Sequence, residues 1–335
     1  MRSGKRATLR LALMILAFSP ALTADTLSQV HVQRYCMGTM FDIVAYHASR
    51  AEGQAAVERA MLEILRLDQV MSDYKADSDL SRLNREGSRG FVSVEPALFE
   101  VIQQSLIVSR RSGGVFDVTI APLLKAWKAA RREGRAPSAA EIAAAKRCVG
   151  YENIETSEPD RIHFRNDCVE IDLGGIGKGY AVDRAIAVLK AAGITSALVN
   201  GGGSSIGAIG APPGAAGWPV RLGDAAAVQT TLLLRDRGLS TSQQNLVPFA
   251  FAAGAFGEIL DPRSAAPARA RMAVTVVADS ASIADALSTT LVILPIAEAD
   301  GLLAQFGDVS GVWTSQSGNL THAYRPSTLR LSDAY

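Results

Sequence analysis

The stretch IDLGGIGKGYAVDRAIAVLKAAGITSALVNGGG, residues 171–203, sets the alternation of elements around which the chain is built. A Gly-rich turn leads into an apolar-periodic run from Ile176 to Ala192, and Gly193 closes it by supplying the left-handed cap conformation. Widened to 161–209, the pattern predicts strand, strand, Gly-rich turn, helix, strand, Gly-rich turn, strand. The glycines invite comparison with nucleotide-binding loops, but each comparison fails on spacing. DLGGIGKGY lacks the GxxxxGK[ST] arrangement that would serve a phosphate nest and a magnesium-binding hydroxyl, and no GxGxxG precedes a helix. Gly203-Ser204-Ser205-Ile206-Gly207 matches GxSxG, yet AIGAPPG follows it where a nucleophile elbow needs a helix.

On the N-terminal side, Met40–Tyr46 has the β-branched and aromatic bias of a strand. Ser49 then opens a helix whose apolar positions Val57, Met61, Ile64, Leu65 and Val70 recur at three or four. A second helix is predicted from Pro96 to Arg111, stopped by Gly113-Gly114, and a third from Ser138 with Glu141 as its capping-box partner. Lys125 to Ala136 is basic and polar and reads as an exposed segment. On the C-terminal side, short strands alternate with turns from Trp218 to Ala278, and Ala281–Leu294 forms one more helix. No low-complexity linker divides the chain, so residues 25–335 read as two interleaved subdomains around one cleft.

The 335 residues carry 34 bases and 33 acids, a net +1 that gives no field able to gather nucleic acid. Arg2, Lys5, Arg6 and Arg10 precede the apolar run Leu11–Leu22, which is too short for a span of about 20 residues and reads as a secretory signal peptide over 1–24. Its removal takes four bases and no acid, leaving −3. An exported, periplasmic protein without a stable membrane span is expected, and no cysteine close behind the run suggests a lipid anchor. Cys36, Cys148 and Cys168 are too few for a disulfide framework or thiolate metal site. A Cys148–Cys168 bridge stays open, with buried free thiols favoured. His31, His47, His163 and His322 are scattered and form no zinc motif.

On the last helix Asp285 and Thr289 lie four apart, so a carboxylate and a hydroxyl share one face beside Ser288. Such oxygens suit magnesium, which prefers hard donors and completes its shell with substrate phosphates. Spacing alone equally fits a helix with a back-bonding threonine.

Five segments in order resemble the ApbE family of flavin transferases (FAD:protein FMN transferases). They are MGTMFDIVAY, MSDYKADSDLSRLN, GGVFDVTIAPLLKAW, the stretch 171–203, and DPR at 261–263 with ADALSTTL at 284–291. The resemblance covers about residues 35–325 and implies an α+β fold, mixed sheets flanked by helices, with FAD in a cleft between subdomains. By position it assigns Met37, Tyr74, Val115, Phe116, Asp117, Asp172, Lys178 and Leu260 to FAD, and Gly175 (through its carbonyl), Asp285, Ser288 and Thr289 to magnesium. Bland roles compete: Tyr74 as a half-buried packing residue, Phe116 as core, Asp172 as a turn cap. Physical sense supports the ligand roles, because a Gly-rich helix start offers amides to a diphosphate and Lys178 adds positive charge.

The activity implied is transfer of FMN from FAD to a Thr or Ser hydroxyl of an acceptor redox protein, forming a phosphoester and releasing AMP. Asp285 is cast as catalytic through the cation. Relatives resemble one another in an HxxDP segment whose histidine suits proton handling. Glu258 stands there in this chain and is the candidate base, although a carboxylate of ordinary pKa, about 4.3, is a weaker acceptor. Ser240-Thr241-Ser242-Gln243 replaces a segment resembling ATSG, Ser264-Ala265 replaces Thr-Gly, and Ser204 stands where an acidic or amide residue is common. An FAD-binding accessory protein with little transferase activity, or a slow FAD pyrophosphatase, therefore stays open beside the transferase. No segment resembles the family's acceptor motif, so the acceptor is expected to be another protein.

Overall fold

The computed structural model describes residues 27–222, 230–249, 255–269, 272–315, 319–325 and 331–332. The expected signal peptide, residues 1–24, lies outside them. The class is α+β, and the described ladders are antiparallel throughout. The main sheet has eight strands: β1 (Ser28–Cys36), β2 (Thr39–His47), β3 (Ser196–Gly201), β4 (Ser205–Ile209), β5 (Gly238–Gln243), β6 (Met272–Ala278), β7 (Ser310–Ser315) and β8 (Leu320–Tyr324). Each lies beside its predecessor in that order. Apart from Leu331–Ser332, which follows β8, the other described elements are inserted between neighbouring strands.

Between β2 and β3 come α1 (Arg50–Met71), α2 (Asp79–Glu86), α3 (Pro96–Arg111), α4 (Ala121–Arg132), α5 (Ala139–Lys146) and α6 (Gly177–Ala191). α7 (Ala281–Ile293) and α8 (Ile296–Leu303) separate β6 from β7. Strand alternation explains the layering. Val274 and Val276 of β6 face the principal core with α1, α6 and α7, whereas Val277 joins Trp218, Val220 and Leu232 of a three-stranded sheet on the opposite face. A third apolar cluster, Leu123, Leu124 and Trp127 with Phe256 and Leu260, sits beside the main core.

The expected helix starts are present. Ser49 caps α1, and Ser138 with Glu141 forms the capping box of α5. Three expectations are corrected. Lys125–Ala136 is not an exposed polar segment throughout, because its first part belongs to α4, whose Leu123, Leu124, Trp127 and Ala130 are buried at helical spacing while Lys125, Arg131 and Arg132 stay exposed. The second strand expected before the Gly-rich turn pairs with no other strand. Ile171 instead exchanges both backbone bonds with the Asn84 side-chain amide, at 2.8 and 2.9 Å, so its ladder valences are already used. Cys148 and Cys168 are bridged, with Cα atoms 5.1 Å apart. The hairpin formed by Ile154–Ser157 and Arg161–Phe164 turns the chain back on itself, and Asn166 donates to the Arg147 carbonyl at 3.0 Å, bringing the two thiols together. Cys36 is the free, buried cysteine.

Candidate active site

α6 and α7 cross at Gly179. A Cβ there would lie 2.2 Å from the Ala281 carbonyl oxygen, so glycine is the residue that allows this approach. Asp183, one turn further along α6, accepts from the Ala281 amide at 2.7 Å, the Ser282 amide at 2.8 Å and the Ser280 hydroxyl at 2.8 Å. A carboxylate thus satisfies the orphan amides at the α7 N-terminus, where the helix dipole also favours negative charge. Burial pushes the Asp183 pKa up, and those donors oppose the rise.

This clamp fixes Asp285 one turn into α7. Its side chain is buried, accepting from the Gly179 amide at 3.0 Å and from the Ser240 hydroxyl at 2.9 Å. Thr289, on the same face, borders with Asp285, Gly175 and Lys178 a cavity of about 600 Å³. A Cβ added to Gly175 would come within 3.6 Å of Thr289 Oγ1 and 3.1 Å of the Phe116 ring, so this backbone lies directly against both. Ser288 does not border the cavity. It is fully buried, donating to the Asp285 carbonyl at 3.0 Å and lying 2.8 Å from the Ser242 hydroxyl. Gly175, the Asp285 carboxylate and the Thr289 hydroxyl border one space and offer hard oxygen donors that fit a magnesium-like cation and nothing for a soft one. Among the described residues no group of three or more His, Cys, Asp or Glu could hold a metal.

The Gly-rich turn differs from its sequence reading. Most of its amides are taken: Gly174 donates to Asp172 Oδ1 at 2.7 Å, Ile176 and Gly177 to the Leu173 carbonyl, and Gly179 to Asp285. Buried N–H groups left unpaired are costly, so the fold consumes them. Positive charge at this end therefore rests on Lys178.

Val115, Phe116 and Asp117 also border the cavity. The Asp117 carboxylate is committed elsewhere, accepting from the Thr119 amide and hydroxyl at 2.8 and 2.6 Å and from the Tyr151 amide at 2.8 Å. Burial raises its pKa against those bonds. It fixes the turn so that Phe116 presents its ring and backbone. Leu260 borders the cavity from a buried position, and Glu258 stands exposed at the rim. Gln244 holds that rim by accepting from the Ile259 amide at 3.2 Å and donating to the Ile259 carbonyl at 2.6 Å.

A second chamber of about 440 Å³ adjoins the first, and Tyr74, Asp172, Gly174 and Lys178 border both. Met37 belongs to the second alone, occupying with Gly38 the two-residue turn between β1 and β2 at φ +50°. Two-residue hairpins favour such left-handed turns, and the strain of a non-glycine there is a feature of functional sites. Tyr74 is 84% exposed, which removes the half-buried packing alternative, while Asp172 does cap its turn. Ser240, Ser242, Asn84, Asp183 and Gln244 were not among the site residues singled out from sequence. Asn84, Asp183 and the two serines lie in segments already noted for other reasons, but nothing in their spacing shows what they touch.

The ApbE family profile matches residues 37–313. The FAD:protein FMN transferase of Klebsiella pneumoniae is 26% identical over 299 residues, covering 86% of this chain and 84% of that protein. That of Salmonella typhimurium is 27% identical over 301 residues, covering 85% and 84%. The apo structure of the flavinyl transferase ApbE of Pseudomonas stutzeri superposes with a TM-score of 0.77 at 27% identity, covering 89% of this chain and 95% of the other. With the fold, the segment order and the profile in agreement over most of its length, the chain belongs to the ApbE family.

Proposed function

We propose that the chain transfers FMN from FAD to a threonine or serine hydroxyl of an acceptor redox protein, with release of AMP and dependence on Mg²⁺. The observation that carries this reading is that Gly175, Asp285 and Thr289 border the larger chamber beside Lys178, which borders both chambers. A dinucleotide has two bulky ends joined by a diphosphate, and adjoining chambers with a lysine between them and hard oxygen donors in the larger one match that shape and charge.

The acceptor hydroxyl attacks the FMN-side phosphorus. An oxygen–phosphorus bond forms, the bond from that phosphorus to the bridging oxygen breaks, and AMP leaves with the electron pair. Mg²⁺ held by Asp285, Thr289 and Gly175 would neutralise charge on the diphosphate oxygens. Lys178 pairs with the phosphates, Phe116 and Leu260 exclude water from one side, and Met37 and Tyr74 hold the far end of the ligand. Glu258, at the rim where an acceptor enters, takes the hydroxyl proton. Export to the periplasm is part of the same proposal, supported by the basic and apolar N-terminal pattern and by the Cys148–Cys168 bridge, a bond at home in oxidising compartments.

Incubation of the purified protein with FAD, Mg²⁺ and a candidate acceptor tests the reading by mass spectrometry. An acceptor heavier by one FMN phosphoester supports transfer. AMP and FMN without label would make the protein a pyrophosphatase, and unchanged bound FAD an accessory protein. Asp285→Ala is expected to lower Mg²⁺-dependent turnover by about 10²–10³-fold; retained turnover would remove Asp285 from the site.

A further inference from the structure

β5 places Ser240 and Ser242 two residues apart and therefore on one face, turned toward α7. The Ser240 hydroxyl is fully buried, 2.9 Å from Asp285 Oδ1 and 3.3 Å from the Ser205 hydroxyl. The Ser242 hydroxyl is 2.8 Å from Ser288 Oγ and 3.2 Å from Thr289 Oγ1.

Counting protons gives these contacts a direction. Each hydroxyl carries one proton, and carbonyl and carboxylate oxygens only accept. The Ser288 proton goes to the Asp285 carbonyl 3.0 Å away. The Ser242–Ser288 contact must then use the Ser242 proton, and the Ser242–Thr289 contact the Thr289 proton. By the same reasoning Ser240 donates to Asp285 and Ser205 donates to Ser240. The Thr289, Ser242 and Ser288 protons run away from the cavity and leave the Thr289 oxygen with lone pairs that no described group fills, whereas the Ser205 and Ser240 protons run onto Asp285 Oδ1, an oxygen that keeps a further lone pair.

We propose that Ser240 and Ser242 are positioning residues that fix the side chains of Asp285 and Thr289 and orient their hydrogen bonds so that both present lone pairs to a hard divalent cation. Ser288 works inside this relay, behind Thr289. The proposal rests on the reading of Asp285 and Thr289 as cation ligands. Groups bonded to metal ligands commonly set the affinity of the site by about 10–100-fold.

The test is a Mn²⁺ titration, free ion followed by electron paramagnetic resonance, on the full-length protein with and without ADP. Wild type, Ser240→Ala, Ser242→Ala, Ser240→Thr, Ser242→Thr and Asp285→Ala are compared, with melting curves in EDTA. Both alanine variants are expected to bind Mn²⁺ about tenfold more weakly, the threonine variants to recover most of that loss, and melting in EDTA to stay near wild type. Wild-type affinity in both alanine variants overturns the proposal while leaving the cation reading intact, provided Asp285→Ala has lost binding. A fall in melting temperature without a fall in affinity marks a packing role and also overturns it. Wild-type protein without saturable Mn²⁺ binding under either condition overturns the cation reading and the proposal with it.

Discussion

Ala265 has a φ of +58°, a left-handed conformation that costs a side chain bearing Cβ about 1–2 kcal/mol. The family resemblance sets a glycine at this position. The turn holds because Ala265 donates to the Asp261 carbonyl at 2.8 Å and its own carbonyl accepts from the Trp127 indole at 2.9 Å. Ala265→Gly relieves the strain and returns part of the gain as unfolded-state entropy, so a net stabilisation of about 0.5–1 kcal/mol is expected in denaturant titrations. Glu258 invites a different measurement. Glu258→Gln keeps size and removes the base, and should lower the transfer rate about 100-fold while leaving FAD affinity within a factor of two or so. Equal rates would take Glu258 out of the proton path. At this scale the sequence was informative wherever a side chain acts through local spacing, as with Asp285 and Thr289 on one helical face. It was silent on Ser240 and Ser242, because their target lies across a sheet-to-helix contact made by residues 45 and 46 positions away.

α6 and α7 illustrate what spacing can and cannot disclose about elements. Both helices were legible from caps and periodicity, but their crossing depends on one missing methyl group at Gly179. Gly179→Ala should force the helices apart and carry Asp285 out of register with Gly175. A loss of about 2–3 kcal/mol in stability is expected, together with weaker cation binding; a variant as stable as wild type would show that the crossing is not tight. α4 is hidden in the sequence by a basic run that reads as an exposed segment, and the row of Leu123, Leu124, Trp127 and Ala130 is the signal that discloses it. The alternating stretch Val169–Leu173 misleads in the opposite direction. It has a strand's composition, but Asn84 intercepts Ile171, and the Asp172 amide donates to the Val118 carbonyl at 2.8 Å, so no neighbouring strand is needed.

For the whole molecule, the cleft lies where a satellite cluster built on α4 leans against the principal core. The Cys148–Cys168 bridge ties the chain just beyond α5 to the segment feeding the Gly-rich turn, across a separation of 20 residues. A loop of that size contributes about 3 kcal/mol by chain entropy, so Cys148→Ser with Cys168→Ser should lower the unfolding free energy by about that amount. Reduction with dithiothreitol should match the double variant. The class and five of the eight described helices could be read from the chain, α2, α4 and α8 could not, and the bridge depended on a hairpin whose return path no local pattern reveals.

Phe41 pairs with Gly201 and Tyr46 with Ser196, so the β2–β3 ladder joins strands whose intervening chain holds six helices. Loop closure over such a span is entropically unfavourable until the span itself has compacted. Closure of the β2–β3 ladder is thus the late event in folding, and a nascent chain truncated before β3 exposes one flank of β2 with no partner to cover it. Ribosome-bound intermediates of this length are expected to be the aggregation-prone species during synthesis.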